Sequence, residues 1–231
     1  MDRDVPTTKR AFFGRRKGHA LKPRQAALFE SLLPRLALDL AKPAPGNVRT
    51  IFPIPVDEVR LEIGFGGAEH LIAQAQSRAN VGFIGTDAFV NAVAKALTAI
   101  EEGALANVRL HFGDASELLA WLPDAAVSRI DLLYPDPWPK RRHWKRRFIQ
   151  SDSLKQLARI LKAGGELRFA TDIADYAAYA LARVLQAEEF VWTATCADDW
   201  RKPWADFAGT RYEAKAKREG RKPAYFTFRR K

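Results

Sequence analysis

The sequence predicts an α/β fold built on a mostly parallel β-sheet. Short apolar runs typical of buried strands alternate with segments of helical periodicity between residues 59 and 185. Strict alternation of this kind favours parallel strands that are covered by helices on both faces. With 231 residues, 47% of them apolar, the chain is long enough for one such domain with short extensions.

The predicted elements follow one another without an internal repeat. A helix is predicted over 23–40, because its leucines recur at helical spacing, and Pro34 must kink or split it. Strands are predicted at 59–63, 81–86, 108–112, 128–133, 166–170, 190–195 and 224–228. Further helices are predicted at 68–77, at 90–97, around 118–119, at 154–161 and at 174–185. Gly164 and Gly165 are expected to stop the helix that precedes the fifth strand.

Basic residues are concentrated in three places. The net charge is +11, with eight Lys or Arg in residues 1–24, six in 138–147 and nine in 211–231. The middle of the chain carries most of the acids, so the protein is not uniformly basic. Separate basic patches indicate a polyanionic partner. We expect residues 1–22 to form a basic flexible arm and residues 23–231 to form a single domain.

The composition also excludes several classes. The single cysteine, Cys196, cannot form an internal disulfide, and the four histidines are too scattered for metal-ligand spacing. No apolar run approaches the roughly 18 residues that span a bilayer, and no signal-peptide pattern opens the sequence. We therefore expect a cytoplasmic protein that binds neither a metal nor a membrane.

The segment 134–147 is the most informative part of the sequence. It reads Tyr-Pro-Asp-Pro-Trp-Pro-Lys-Arg-Arg-His-Trp-Lys-Arg-Arg, so Asp136 is held between two prolines beside Trp138. Proline restricts its own φ and the residue before it, which makes this loop stiff. The loop follows the fourth predicted strand, and ligands of open α/β sheets bind at carboxyl ends of strands. The combination predicts chemistry on a nucleobase whose phosphates the basic tract holds. The simpler alternative is a proline-rich turn before a solvated basic helix.

Each of the first five predicted strands ends in, or just before, a carboxylate. These acids are Glu62, Asp87, Asp114, Asp136 and Asp172. A single Asp in such a place is most often a helix N-cap. Parallel strands align their carboxyl ends on one edge, however, and five mutually repelling acids there would be costly without a use. The recurrence therefore indicates a functional crevice.

The glycine turn after the first strand indicates a nucleotide-like cofactor. Gly64 and Gly66 let the backbone approach a ligand, but the third glycine of a dinucleotide fingerprint is missing. Asp87 lies where such folds place an acid that binds ribose hydroxyls, and Asp114 where an acid can accept from an adenine amino group. Together these residues fit an adenosine cofactor without a diphosphate, such as S-adenosylmethionine.

These motifs resemble those of the tRNA (guanine-N7-)-methyltransferases of the bacterial single-chain type, from about residue 15 to residue 228. The most specific match is 134–138 with Lys140 and 142–147; Thr-Arg-Tyr-Glu at 210–213 and Thr171-Asp172 follow. The resemblance implies a Rossmann-like class I methyltransferase fold, with a seven-stranded mixed sheet whose last strand is antiparallel. It implies methyl transfer from S-adenosylmethionine to N7 of guanine 46 in the variable loop of tRNA.

The resemblance also implies roles for individual residues. The cofactor pocket would be lined by Glu62, Gly64, Gly66, Asp87, Asp114 and Asp136, with Asp136 at the catalytic position. The target guanosine would be contacted by Lys140, Asp172, Thr210, Arg211, Tyr212 and Glu213, and Trp138 or Tyr212 is a candidate for stacking on the base. We expect Arg142, Lys145, Arg146 and Arg147 to bind phosphates of the RNA backbone. No obligate protein partner is expected.

Three other functions compete with this interpretation. An amino-directed base methyltransferase is suggested because Asp136-Pro137-Trp138 loosely resembles the Asp-Pro-Pro-Tyr/Trp of that class, although one proline is missing here. A nucleic-acid-binding module with a vestigial core would not need the five strand-end acids. An NAD-dependent oxidoreductase lacks its fingerprint and leaves the basic segments without a purpose.

Overall fold

The computed structural model describes Gly14 and residues 16–231. Within this part of the chain, seven strands form one sheet. They are β1 (Glu58–Ile63), β2 (Val81–Asp87), β3 (Val108–Phe112), β4 (Val127–Leu133), β5 (Leu161–Thr171), β6 (Phe190–Trp192) and β7 (Ala224–Arg230). All seven predicted strands are present, so the α/β prediction is confirmed.

The strand order is β3-β2-β1-β4-β5-β7-β6. Strands β1 to β5 pair in parallel, whereas β7 is antiparallel to both β5 and β6. The expected mixed sheet with an antiparallel last strand is therefore confirmed. The chain runs outwards from β1 in one direction through β2 and β3, and returns beside β1 as β4. The adjacent carboxyl ends of β1 and β4 form the topological switch point, where such sheets bind ligands.

The helices described by the structure follow the predicted alternation, with additional short segments. They are α1 (Pro23–Ser31), α2 (Leu33–Leu36), α3 (Glu69–Ser77), α4 (Val90–Glu102), α5 (Ala115–Trp121), α6 (Ser151–Ile160), α7 (Ala174–Leu185), α8 (Asp198–Arg201) and α9 (Arg211–Arg218). Short 3₁₀ helices span Val48–Ile51 and Arg141–Arg146. The sequence did not predict α8, α9 or the 3₁₀ helix of the basic tract. Pro34 lies in the first turn of α2, so the predicted break is confirmed.

Helices cover the sheet in two layers. Side chains of α5, α6 and α7 pack on one face in a cluster that includes Leu61, Ile130 and Phe169. On the opposite face, α1, α3 and α4 pack over β2 and β3 around Phe83 and Leu110. The layer of α5, α6 and α7 packs behind β4, and the glycine turn leads into the amino end of α3. The two layers thus hold the switch point from both sides.

Two segment boundaries differ from the prediction. Strand β5 begins at Leu161, because its first residue pairs with Val127 and the register then shifts to Arg129 opposite Glu166. The two glycines lie inside this irregularity, with Gly164 at a φ of +74°. Strand β6 ends at Trp192, three residues before the predicted end, because its ladder with β7 covers only three residues.

The amino-terminal segment predicted as a flexible arm over 1–22 is described only in part. Residues 1–13 and 15 lie outside the described residues. Where the arm is described, it is bonded to α4: Val90 N–H donates to the Arg16 carbonyl at 3.0 Å. Gly18 N–H donates to the Asn91 side chain, which in turn donates to the His19 carbonyl, each at 2.9 Å. Residues 16–19 therefore pack against the domain.

Candidate active site

The glycine turn after β1 is shaped by backbone hydrogen bonds to β2. Gly64 and Gly66 both have positive φ, +72° and +53°, a conformation that glycine adopts without penalty. Gly64 N–H donates to the Thr86 carbonyl at 2.8 Å, and Gly66 N–H donates to the Asp87 carboxylate at 2.9 Å. A Cβ added at Gly64 would meet open space. The turn therefore leaves room for a ligand above it.

Asp87 terminates β2 beside this turn. Besides the bond from Gly66, its carboxylate accepts from Phe89 N–H at 2.8 Å. Burial raises the pKa of this carboxyl although both amide bonds oppose the rise, and the Asp136 carboxylate adds to it. Strand β1, which leads into the glycine turn, pairs with both β2 and β4, so the ends that carry Asp87 and the Asp136 loop lie on either side of this turn.

Helix α9 lies over the glycine turn. A Cβ at Gly66 would lie 3.1 Å from the Tyr212 ring, and one at Gly67 would overlap the ion pair of Arg211 with Glu69. Burial raises the pKa of the Tyr212 phenol, and the negative charges of Asp87, Asp136 and Glu69 add to this against the opposing charge of Arg211. The side chain is still 48% exposed. Tyr212 therefore forms a wall of the crevice and presents an open ring face.

The loop after β4 holds an unusual backbone conformation. Tyr134 and Trp138, neither of them glycine, have φ values of +51° and +42°. Strain of this kind persists only where the surroundings enforce it, and it is most common at functional sites. Tyr134 N–H donates to the Ala170 carbonyl at 2.8 Å, and its buried ring packs among Leu133, Ala170 and Tyr225. The first residue of the loop is thus anchored on β5.

Asp136 lies at the tip of this loop with an exposed side chain. Partial desolvation by the surrounding protein raises the pKa of its carboxyl. Because β4 pairs with β1 up to Leu132 opposite Ile63, the loop of Asp136 begins beside the glycine turn. The arrangement offers a carboxylate, an aromatic ring and an open glycine turn around one space. A positively charged group that develops there would be stabilised by the two acids.

The basic tract leaves the loop as the 3₁₀ helix Arg141–Arg146. Lys140, Arg142 and Lys145 are exposed, so their side chains are accessible to a polyanion. Arg146 lies with its guanidinium 4.9 Å from the centre of the Trp138 ring. The tract is therefore continuous with the crevice through Trp138. This helical conformation is compatible with both interpretations of the tract, a solvated basic helix and a phosphate-binding surface.

The structure corrects the expectation for Arg147. Its side chain is completely buried, so it does not present a charge to RNA phosphates. Arg147 Nε donates to the Pro137 carbonyl at 2.8 Å, and a terminal nitrogen pairs with Asp175 of α7. In the run of basic residues, nothing in the sequence distinguishes this inward-pointing arginine from its outward-pointing neighbours.

Two of the predicted cofactor acids have partners within the fold. Glu62 is 5% exposed and accepts from His70 Nδ1 at 2.9 Å, so its carboxylate points into the interior. Asp114 is the N-cap of α5 and accepts from Ser116 N–H at 2.9 Å. For Asp114 the N-cap interpretation is therefore correct. Gly113 N–H nevertheless donates to the Asp87 carbonyl at 3.2 Å, which brings this end of β3 to the crevice edge.

The predicted guanosine contacts near the carboxyl end form an internal network. Thr210 caps α9 by accepting from Glu213 N–H at 3.1 Å. Glu213 is 7% exposed, accepts from the Tyr225 hydroxyl and pairs with Lys217 at 2.7 Å. Asp172 accepts from Arg221 Nε at 2.5 Å. These side chains hold the segment that carries Tyr212 and Arg211, and the latter two lie nearest to the glycine turn.

Sequence reasoning missed a partly buried ion cluster that joins β4, β5 and the segment before α9. Asp206 accepts from Arg129 at 2.8 Å and from Arg168 at 2.6 Å, and Arg129 also pairs with Asp131 at 3.0 Å. Burial opposes ionisation of Asp206, but hydrogen bonds from Arg168 and Arg129 hold its pKa well below the usual range. The cluster fastens the segment before α9 to β4 and β5. Alternation of arginine and acid along Arg129–Asp131 was the available sequence signal.

In the part of the chain that the structure describes, no group of three or more His, Cys, Asp or Glu side chains is placed to hold a metal ion. None of the helices described is both long and apolar enough to cross a membrane.

Comparison with known proteins gives a consistent result. A model of a family described as "Putative methyltransferase" matches residues 57–225. A tRNA (guanine-N(7)-)-methyltransferase of Bradyrhizobium diazoefficiens is 58% identical over 229 residues, which cover 99% of this chain and 97% of that protein. A protein of the same name from Chelativorans sp. is 52% identical, with 98% of both chains covered.

Solved structures support the fold alone, because their sequences are distant. The 16S rRNA methyltransferase KamB superposes with a TM-score of 0.57 at 16% identity, over 76% of this chain and 89% of that one. A 16S rRNA (adenine(1408)-N(1))-methyltransferase from Catenulisporales acidiphilia, solved with the cosubstrate SAM, gives 0.53 at 14% identity, over 76% and 87%. The predicted Rossmann-like class I methyltransferase fold is confirmed.

Proposed function

Because this chain belongs to the tRNA (guanine-N(7)-)-methyltransferase family, we propose that it transfers a methyl group from S-adenosylmethionine to N7 of a guanine in tRNA. The observation that carries the proposal is the 58% identity over nearly the whole chain, supported by the crevice between the glycine turn and Asp136. The finer proposal is that the target is guanine 46 of the variable loop.

Two features of the glycine turn support its proposed role in cofactor binding. Gly64 leaves open space above the turn, and the Asp87 carboxylate lies beside it at the end of β2, where folds of this kind use an acid to accept from ribose hydroxyls. We propose that Gly64, Gly66 and Asp87 hold the adenosine part, with the end of β3 at Asp114 beside it. Glu62 contributes by fixing β1 through its bond to His70. When bound, S-adenosylmethionine supplies an electrophilic methyl group on a sulfonium.

The proposed chemistry needs alignment more than proton transfer. Guanine N7 carries a lone pair and no proton, so no general base is required to expose it. Holding two reactants in line can contribute about 7–11 kcal/mol to lowering the barrier. Methylation leaves the purine cationic, and we propose that Asp136 stabilises this charge as it develops. The exposed face of Tyr212 and the ring of Trp138 are the candidates for stacking on the base.

We propose that the exposed part of the basic tract binds the tRNA backbone. Lys140, Arg142 and Lys145 are accessible, and Arg146 reaches Trp138 at the mouth of the crevice. Phosphate contacts of this kind set position and salt dependence without reading sequence. We further propose that residues 23–231 act as one domain in the cytoplasm, without an obligate protein partner.

The proposal is tested with the purified protein, S-adenosylmethionine and tRNA transcripts that lack modifications. We expect one 7-methylguanosine per transcript, located at guanine 46 by chemical cleavage at that nucleotide and by mass spectrometry of nuclease fragments. A transcript with adenine at position 46 is the matched control and should remain unmodified. Methylation of an exocyclic amino group would instead support the amino-directed alternative, and cofactor binding without methylation of any tRNA would contradict the proposal.

A further inference from the structure

Arg147 connects three segments that meet beside the crevice. Its Nε donates to the carbonyl of Pro137, the residue after Asp136, at 2.8 Å. A terminal nitrogen pairs with Asp175 in the first turn of α7. Its guanidinium carbon lies 4.5 Å from the ring centre of Trp144 in the basic tract. One side chain therefore links the loop of Asp136, the basic tract and α7.

The guanidinium of Arg147 is enclosed by aromatic rings. The Tyr176 and Tyr179 rings lie 4.8 and 4.7 Å from its guanidinium carbon, so three aromatic rings surround one buried cation. Phe148 N–H donates to the Tyr176 hydroxyl at 3.1 Å, which fixes the chain next to Arg147. Taking a charge out of water is expensive unless it is paired and hydrogen-bonded. The cation–π contacts and the ion pair with Asp175 offset the loss of hydration of the Arg147 guanidinium.

The loop of Asp136 needs an anchor on this side. Its first residue, Tyr134, is tied to β5, and both Tyr134 and Trp138 hold left-handed backbone conformations. Such conformations revert unless neighbouring structure enforces them. The bond from Arg147 to Pro137 lies on the opposite side of Asp136 from the Tyr134 anchor. Asp136 is thereby held between two fixed points while its carboxylate remains exposed.

We propose that Arg147 is a positioning residue, which holds the Asp136 loop in its reactive conformation through the Pro137 carbonyl. This inference deepens the proposed function and rests on it for the identity of the reaction. An aligned displacement is sensitive to misplacement, and a shift of about 1 Å can cost on the order of a hundredfold in rate. Arg147 therefore affects the methyl-transfer step without touching the substrate.

The test uses Arg147→Lys in the full-length protein. Lysine keeps the charge but loses the planar fork that reaches Pro137 and Asp175 together. The matched control is Arg159→Lys, because Arg159 also donates to backbone carbonyls, those of Leu119 and Leu122, away from the crevice. Hydrogen exchange of the peptide spanning 132–148 reports the loop and the basic tract through the bonded amides of Tyr134, His143, Arg147 and Phe148, and it does not depend on activity. It therefore remains informative even if the tRNA proposal fails.

For Arg147→Lys we expect faster exchange in 132–148, unchanged exchange in the glycine turn, and a kcat lowered by about tenfold to a hundredfold. The salt dependence of tRNA binding should stay the same. The control should show none of these changes. Unchanged exchange or unchanged kcat overturns the proposal. So does a salt slope flattened by about 0.7–0.9, which would assign a phosphate contact to Arg147.

A second variant covers the case in which Arg147→Lys does not fold. Tyr179→Leu removes one of the rings around the guanidinium at a half-buried site and leaves Arg147 in place. We expect the same direction of change in loop exchange and kcat, with a smaller amplitude. If a folded Tyr179→Leu protein keeps both values, the aromatic setting does not control the loop and the proposal fails.

Discussion

Gly66 donates its backbone N–H to the Asp87 carboxylate at 2.9 Å, across 21 residues of chain. This bond joins the glycine turn after β1 to the acid at the end of β2. The residue expected to bind the ribose therefore also shapes the turn that faces the cofactor. Loss of the Asp87 side chain should affect cofactor binding in two ways at once.

We predict that Asp87→Ala lowers the affinity for S-adenosylmethionine by on the order of tenfold or more, because a charged hydrogen-bond acceptor is lost. Asp87→Asn should lower this affinity less, since the amide oxygen of asparagine can still accept a hydrogen bond from Gly66 N–H. Affinity for tRNA should change little in either variant. Calorimetric titration with the cofactor measures the effect. Equal affinities in all three proteins would mean that the cofactor binds elsewhere.

Asp136→Asn should almost abolish methyl transfer while the fold persists. Removing one preorganised electrostatic group costs about 3–4 kcal/mol in the transition state. The melting temperature should stay the same or rise, because desolvation and the nearby Asp87 disfavour the ionised Asp136 carboxylate in the folded protein. Single-turnover rates and thermal melting measure both. A folded variant with near-normal turnover would remove Asp136 from the catalytic position.

Replacing Lys145 and Arg146 together with alanine should flatten the salt dependence of tRNA binding. Each phosphate contact contributes about 0.7 to the logarithmic slope on single strands and about 0.9 on duplex, so the change should be about 1–2 units. The matched control replaces Lys155 and Lys162, two exposed residues of equal charge on α6 and at the start of β5. If both double variants keep the original slope, the tract is only surface charge.

Asp206→Asn should destabilise the protein by about 1.5–3 kcal/mol, because Arg129 and Arg168 lose hydrogen bonds to their shared carboxylate. The comparison variant is Asp124→Asn, whose ion pair with Arg159 is exposed and should contribute at most about 1 kcal/mol. Urea denaturation gives both values. Equal losses would show that the cluster behaves as an ordinary surface network.

The stability of the protein should fall as the pH rises from about 6.5, the ordinary pKa of histidine. Burial opposes the charged form of His70, but the adjacent Glu62 carboxylate outweighs it and raises the pKa of His70 in the folded state. A raised pKa stabilises the folded protein below the unfolded value, and this contribution is lost as the pH passes the folded value.

The slope from one such group is at most about 1.4 kcal/mol per pH unit. Urea denaturation between pH 6 and 9 (roughly the range in which histidine loses its proton) should show this decline. The His70→Asn variant should show a smaller loss of stability over the same pH range. A variant with the same decline would assign the pH dependence to other groups.

The sequence predicted the strands of the cofactor half and the place of Asp136 after the fourth strand, because hydrophobic periodicity and prolines act locally. It did not predict α9, since Arg211–Arg218 buries only Glu213 and Ala216 and so lacks an apolar stripe. Nor could it predict the direction of Arg147, because the rings that enclose it come mainly from α7. The positive φ of Tyr134 and Trp138 is likewise enforced by tertiary contacts that no local pattern contains.

Strand β7 lies between β5 and β6, although it follows both in the chain. Strand β6 pairs only with β7 in this sheet, so during synthesis on the ribosome it has no ladder partner until β7 has emerged. The cofactor half, β1 to β4, needs nothing from this region for its own pairing. Since α9 lies between β6 and β7, the Tyr212 wall is assembled late. A nascent chain would thus form the turn for the cofactor well before it could close the crevice.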